Sequence, residues 1–255
     1  MQLVNNLPKR DFYAIAISLL GITILSWIYV VRMSWDMSAS GSCCLLPAQS
    51  TNWSIHYFWM MFWMWAIMMV GMMVPSAAPM ILIYAAVARK AEREGTPIAS
   101  AGAFTAGYIV MWTVFSFFVT VAQWQLDKAL LLSPMMGTNS PKIGAAILIA
   151  AGIYQWLPVK NSCLEHCRSP FHFISSHWRP GSTGAFLMGI SHGTFCIGCC
   201  WALMLLLFVG GVMNILWIAT ITVFVLLEKV LPLGAQGGKL TGALMILTGA
   251  IMLAR

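Results

Sequence analysis

Residues 58–87 read FWMMFWMWAIMMVGMMVPSAAPMILIYAAV, with no charged side chain in the run. At about 1.5 Å of rise per residue, such a helix is longer than the roughly 30 Å hydrocarbon core of a bilayer. Pro75 and Pro79 lie in its second half. Each proline removes a backbone donor and favours a kink, and inside a membrane the carbonyl that loses its partner must find another within the bundle. The expected fold is an all-α, polytopic transmembrane helix bundle.

Six further apolar runs extend on both sides, at 12–31, 98–122, 143–157, 185–209, 212–231 and 240–253. About seven helices are therefore expected, in a single integral membrane domain over residues 1–255. Runs 143–157 and 240–253 fall short of the ~20 residues of a full crossing, which leaves six spans as the alternative. Lys9 and Arg10 precede the first run, which is longer than a signal-peptide core of roughly 7–15 residues and is read as an uncleaved helix. Composition agrees. The chain is 60% hydrophobic and 8% charged, whereas a soluble domain carries about 25% charged residues and needs them to cover its surface. The net charge of +7 gathers at the ends of the runs, where headgroups and topology account for it, and not in a basic stripe suited to nucleic acid.

Lys and Arg also set the expected orientation. With the N-terminus in the cytoplasm, Lys9, Arg10, Arg89, Lys90, Arg93, Lys160, Arg168, Arg179, Lys229 and Lys239 lie inside. Arg32, Lys128, Lys142 and Arg255 then lie outside.

The densest chemistry lies in run 185–209, as His192-Gly193-Thr194-Phe195-Cys196-Ile197-Gly198-Cys199-Cys200. Positions 192, 196 and 199 step by four and three, which puts an imidazole and two thiols on one helix face. Those are ligands for copper or zinc. Cysteine also packs as a small hydrophobe, and a histidine can make one interhelical hydrogen bond, so packing is the competing explanation. Ahead of this run stands Cys163-Leu164-Glu165-His166-Cys167, followed by His172 and His177. Cys163, His166 and Cys167 would be a separate cytoplasmic donor or acceptor, in a compartment that keeps thiols reduced. Run 58–87 adds methionines, with Met61, Met64, Met68 and Met72 tracing one stripe. Thioethers favour Cu(I) but equally fill cores. Cys43 and Cys44 are a weaker candidate for receiving metal from outside, and Glu228 beside Lys229 reads as an interfacial ion pair. Phosphate-loop, dinucleotide-fold and c-type haem signatures are absent.

Three blocks resemble an uncharacterised bacterial family of predicted metal-binding integral membrane proteins. They are Met72-Met73-Val74-Pro75-Ser76-Ala77-Ala78-Pro79-Met80, Cys163-x-x-x-Cys167-Arg168-Ser169-Pro170 and His192-Gly193-x-x-Cys196-x-Gly198-Cys199-Cys200-Trp201. The resemblance implies a multi-pass protein of the bacterial inner membrane that binds an unspecified metal.

Together these readings point to handling or delivery of a soft metal, copper first and zinc second, more readily than to an enzyme. The expected ligands are His192, Cys196, Cys199, Cys200, Cys163, His166, Cys167, Met68 and Met72. The expected partners are the bilayer and a soluble metal carrier or membrane metalloenzyme. A thiol–disulfide oxidoreductase using a quinone, and an accessory subunit of a larger membrane complex, are the alternatives. A shared intramembrane site would also require run 58–87 to lie beside run 185–209.

Overall fold

The computed structural model describes residues 8–39, 53–97, 99–133, 136–231 and 234–254; Cys43 and Cys44 lie outside them. All seven apolar runs are helical. The long ones are α1 (Lys9–Ala39), α2 (Ile55–Arg93), α3 (Ala101–Lys128), α7 (Gly181–Leu205) and α10 (Gly234–Ala254). Shorter elements are α4 (Pro141–Trp156), α5 (Pro158–Arg168), α6 (Pro170–His177), α8 (Leu207–Gly210) and α9 (Ile215–Val230). Among the described residues, five helices are long and apolar enough to cross a membrane; α4 and α5 together would make a sixth, bent by 66° at their junction. At 16 residues, α9 extends only about 24 Å, so run 212–231 is helical but shorter than a straight crossing, whereas run 240–253, expected to fall short, lies in the longer α10.

The polar stretch 160–184, between the apolar runs, is helical in two places. Pro158 and Pro170 each open a helix at its first position, where the missing N–H costs nothing. The first of these helices, α5, carries Cys163 and Cys167 and packs along α7.

α2 packs along α1 and α3, α3 along α7, and α4 along α10. Ends meet as antiparallel neighbours should. Arg89 Nη2 near the end of α2 lies 2.8 Å from Asp11 Oδ2 at the start of α1. At the other end, Trp53 Nε1 donates to Asp127 Oδ2 at 2.9 Å, tying the start of α2 to the end of α3. Lys9 and Arg10 at the start of α1 and Arg89, Lys90 and Arg93 at the end of α2 therefore stand at one end of that pair.

α2 runs unbroken through both prolines. Pro75 deprives the Gly71 carbonyl of its i+4 donor, and the indole of Trp27 on α1 supplies one instead, 3.2 Å away. The carbonyl does find its partner inside the bundle, as expected, and that partner fastens α1 to α2. The α3–α7 contact rests on glycine. A Cβ at Gly107 would stand 2.1 Å from the Phe186 carbonyl oxygen, and one at Gly189 would stand 2.0 Å from that of Phe104. The two backbones touch where a side chain would hold them apart.

A candidate soft-metal centre

α7 presents His192, Cys196, Cys199 and Cys200 to the interior, all buried. Cys196 is the centre of the group. Its thiol lies 3.1 Å from the Tyr108 hydroxyl of α3, and Lys229 Nζ, from the last turn of α9, donates to it at 2.9 Å. The same ammonium donates to Ser76 Oγ of α2 at 2.9 Å. Tyr108 also donates to the Met73 carbonyl of α2, at 3.2 Å. Cys199 and Cys200 turn their thiols back onto the Cys196 carbonyl, at 3.1 and 2.9 Å.

From the α5 side, the Cys167 thiol is a near neighbour of the Cys196 and Cys199 thiols. Cys163 fits against Gly198, where a Cβ would lie 2.7 Å from its sulfur. The Tyr154 hydroxyl of α4 donates to the Gly198 carbonyl beside it. None of the described cysteines forms a disulfide. The two cysteine clusters, expected as separate intramembrane and cytoplasmic sites, are neighbours in one place.

The remaining candidates are spread more widely. His192 lies among the rings of Phe104, Tyr108 and Phe173, with centroids 5.4–5.9 Å away. Its Nδ1 is buried without a hydrogen-bond partner, which is costly for a polar atom and leaves a donor atom free. His166 stacks on Phe195 at 4.3 Å, with His172 and His177 about it at 6.0 and 6.4 Å between centroids. It stands apart from the buried thiols. Met68 and Met72 line a tight crevice with Trp27, Gly71 and Ile218, where α2 meets α1 and α9. Their helix is joined to α7 mainly by the bridging side chains of Tyr108 and Lys229, and α7 packs chiefly along α3 and α5. The expected side-by-side contact of α2 and α7 is replaced by this bridged one.

Among the described residues, no group of three or more His, Cys, Asp or Glu is disposed to hold a metal ion as it stands. No three of these side chains surround a common point. That arrangement is poor for tetrahedral Zn(II), which wants four ligands. It suits Cu(I) better, because soft thiolate and thioether donors select Cu(I) and two of them suffice for a linear site.

A family model described as "PpoB2: Copper chaperone" matches residues 62–252. The chain belongs to this copper-chaperone family. The match covers α3 to α9 entirely, with most of α2 and α10, so every residue of the thiol group falls within it. No curated protein and no solved structure matches the chain. The family's description names copper, where the sequence resemblance implied only a metal.

Two residues of this thiol group carry no such signal in the sequence. Lys229 was paired with its neighbour Glu228, yet Glu228 binds Lys160 of α5 while Lys229 turns to Cys196. Adjacent residues on a helix point about 100° apart, a signal that two buried charges there need separate partners. Tyr108 carried no sequence signal, being one aromatic in an apolar run.

Proposed function

We propose that this protein is a multi-pass inner-membrane protein that takes up Cu(I) and passes it to a partner, holding it between α5 and α7. The observation that carries the reading is the nearness of Cys167 to Cys196 and Cys199, beside the part-buried ammonium that bonds Cys196. Membership of a copper-chaperone family supports the metal. Thiolate is the form that binds metal, and a positive neighbour favours it. Cys196 with Cys167 or Cys199 supplies the soft pair, while His192 Nδ1 is a further donor one helical turn away. A soluble metal carrier or a membrane metalloenzyme would receive the ion.

The test is Cu(I) stoichiometry of the purified protein against a competing chelator. Cys196→Ser combined with Cys199→Ser should abolish the tightest equivalent, and Cys167→Ser alone should weaken it. Unchanged binding in the folded double variant would refute a thiol site here.

The same contact favours thiol–disulfide exchange as a second reading, in which two thiols lose two electrons and two protons to a quinone. It predicts a cross-link between α5 and α7 after mild oxidation, found by mass spectrometry without reductant. Copper binding with no such cross-link, and no quinol formed, would dismiss it.

Orientation is part of the proposal. A reporter fused after Glu94 should read cytoplasmic and one near Ala48 periplasmic; the reverse pattern would invert the bundle.

A further inference from the structure

Far from the thiols, Gln123 of α3 is fully buried with both ends of its amide engaged. Trp65 Nε1, from α2, donates to Oε1 at 2.5 Å. An indole N–H can only donate, so that end of the amide is the oxygen and the NH2 group faces the other way. There Nε2 meets two thioethers. Met136 Sδ, from the segment between α3 and α4, lies 3.2 Å away, and Met61 Sδ, from α2, lies 3.8 Å away. Both methionines are buried.

Methionines that only fill space have no reason to aim sulfur at a polar hydrogen. Here the lone pairs of two thioethers, from separate segments, converge on one small electropositive group. A soft monovalent cation asks the same of them. Asp127 follows Gln123 by one turn, about 6 Å along the axis, with its carboxylate on Trp53, and Lys128 beside it holds its ammonium over the Trp124 ring, so this end of the bundle carries one charge of each sign near the pair.

We propose that Met61 and Met136 form a second Cu(I) site, a neutral thioether pair that the ion enters as the Gln123 amide moves aside. This inference rests on the copper reading and gives it a loading point. The pair lies roughly 18–22 Å along α2 from the Met73–Ser76 level that meets Tyr108 and Lys229. Between them Met64, Met68, Met69 and Met72 are buried. Two uncharged ligands hold Cu(I) less tightly than thiolates, so an ion bound there can be given up inward.

The experiment is a Cu(I) titration of the purified full chain, repeated with Ag(I), for the unaltered protein, Met61→Leu/Met136→Leu, and Cys196→Ser/Cys199→Ser. Leucine keeps the volume nearly constant. The thioether variant should lose the weaker equivalent and keep the tighter one, and the thiol variant should do the opposite. A thioether variant with unaltered stoichiometry overturns this site and leaves the thiol site standing. Unaltered binding in both overturns the copper reading as well. Should the double leucine variant fail to fold, 13C-methyl methionine spectra of the unaltered protein decide the matter. Ag(I) should shift two methionine signals at the weaker step, one of which is absent in Met136→Leu. No methionine signal moving at that step overturns the proposal.

Discussion

Replacing Lys160 with methionine should destabilise the protein by about 3–5 kcal/mol, the cost of removing one partner from a buried ion pair. That lowers the folded-to-unfolded ratio by roughly two to four orders of magnitude. Lys160 of α5 is 1% exposed and Glu228 of α9 is 8% exposed, and the ammonium of one is bonded to the carboxylate of the other. Gln155 Oε1, at the end of α4, accepts from the same ammonium. Arg168, at the end of α5, donates to the Glu228 backbone carbonyl. In Lys160→Met the carboxylate stays buried without its cation, and Gln155 loses its donor too. The double variant Lys160→Met/Glu228→Met removes both charges and should recover most of the loss. Thermal unfolding in detergent, followed by size-exclusion fluorescence, measures both. Equal loss in the single and double variants would mean that shape matters here and charge pairing does not.

The second large effect concerns the α3–α7 contact. In Gly189→Ala the new Cβ would meet the Phe104 carbonyl oxygen at 2.0 Å, and that oxygen belongs to backbone, which cannot rotate away. The helices must separate by more than 1 Å, at a cost typical of overpacking, about 1–3 kcal/mol. Tyr108, on the displaced helix, would be drawn from Cys196, so Cu(I) affinity should fall along with stability. Gly21→Ala is the control: a Cβ there meets nothing within 4 Å, and alanine is favoured over glycine in a helix by about 1 kcal/mol. Stability equal to the unaltered protein in Gly189→Ala would show that the two helices are free to part.

The helices were legible because spanning a bilayer demands length and apolarity, and residues 12–31 or 58–87 can satisfy that demand in no other way. The α5 segment was not, since Pro-Val-Lys-Asn-Ser-Cys-Leu-Glu-His-Cys-Arg lacks the apolar length that marks a crossing. Its i, i+4 cysteines were visible, but which helix they would face depends on packing between residues some thirty apart. The donor types at the candidate site were legible in the same sense, as His192, Cys196 and Cys199 on one face. What closes around them was not. Lys229 and Tyr108 come from other helices, and chemistry of that kind has no local pattern. Gln123 was overlooked for the opposite reason. One amide at the edge of an apolar run looks like a helix end, and only the convergence of Trp65, Met61 and Met136 gives it meaning.

The ammonium of Lys229 on the Cys196 thiol has a thermodynamic consequence for the proposed cargo. The position beside that sulfur is held in the metal-free protein by a monovalent cation that the protein itself provides. Cu(I), also monovalent, arrives as a competitor of this side chain and not as the filler of a vacant hole. An affinity measured on the whole protein is then an exchange constant, in which the lysine's release is subtracted from the strength of the copper–sulfur bond. Delivery runs the same exchange backwards: as the ion leaves, the tethered amine returns, and the sulfur is never left without a positive neighbour.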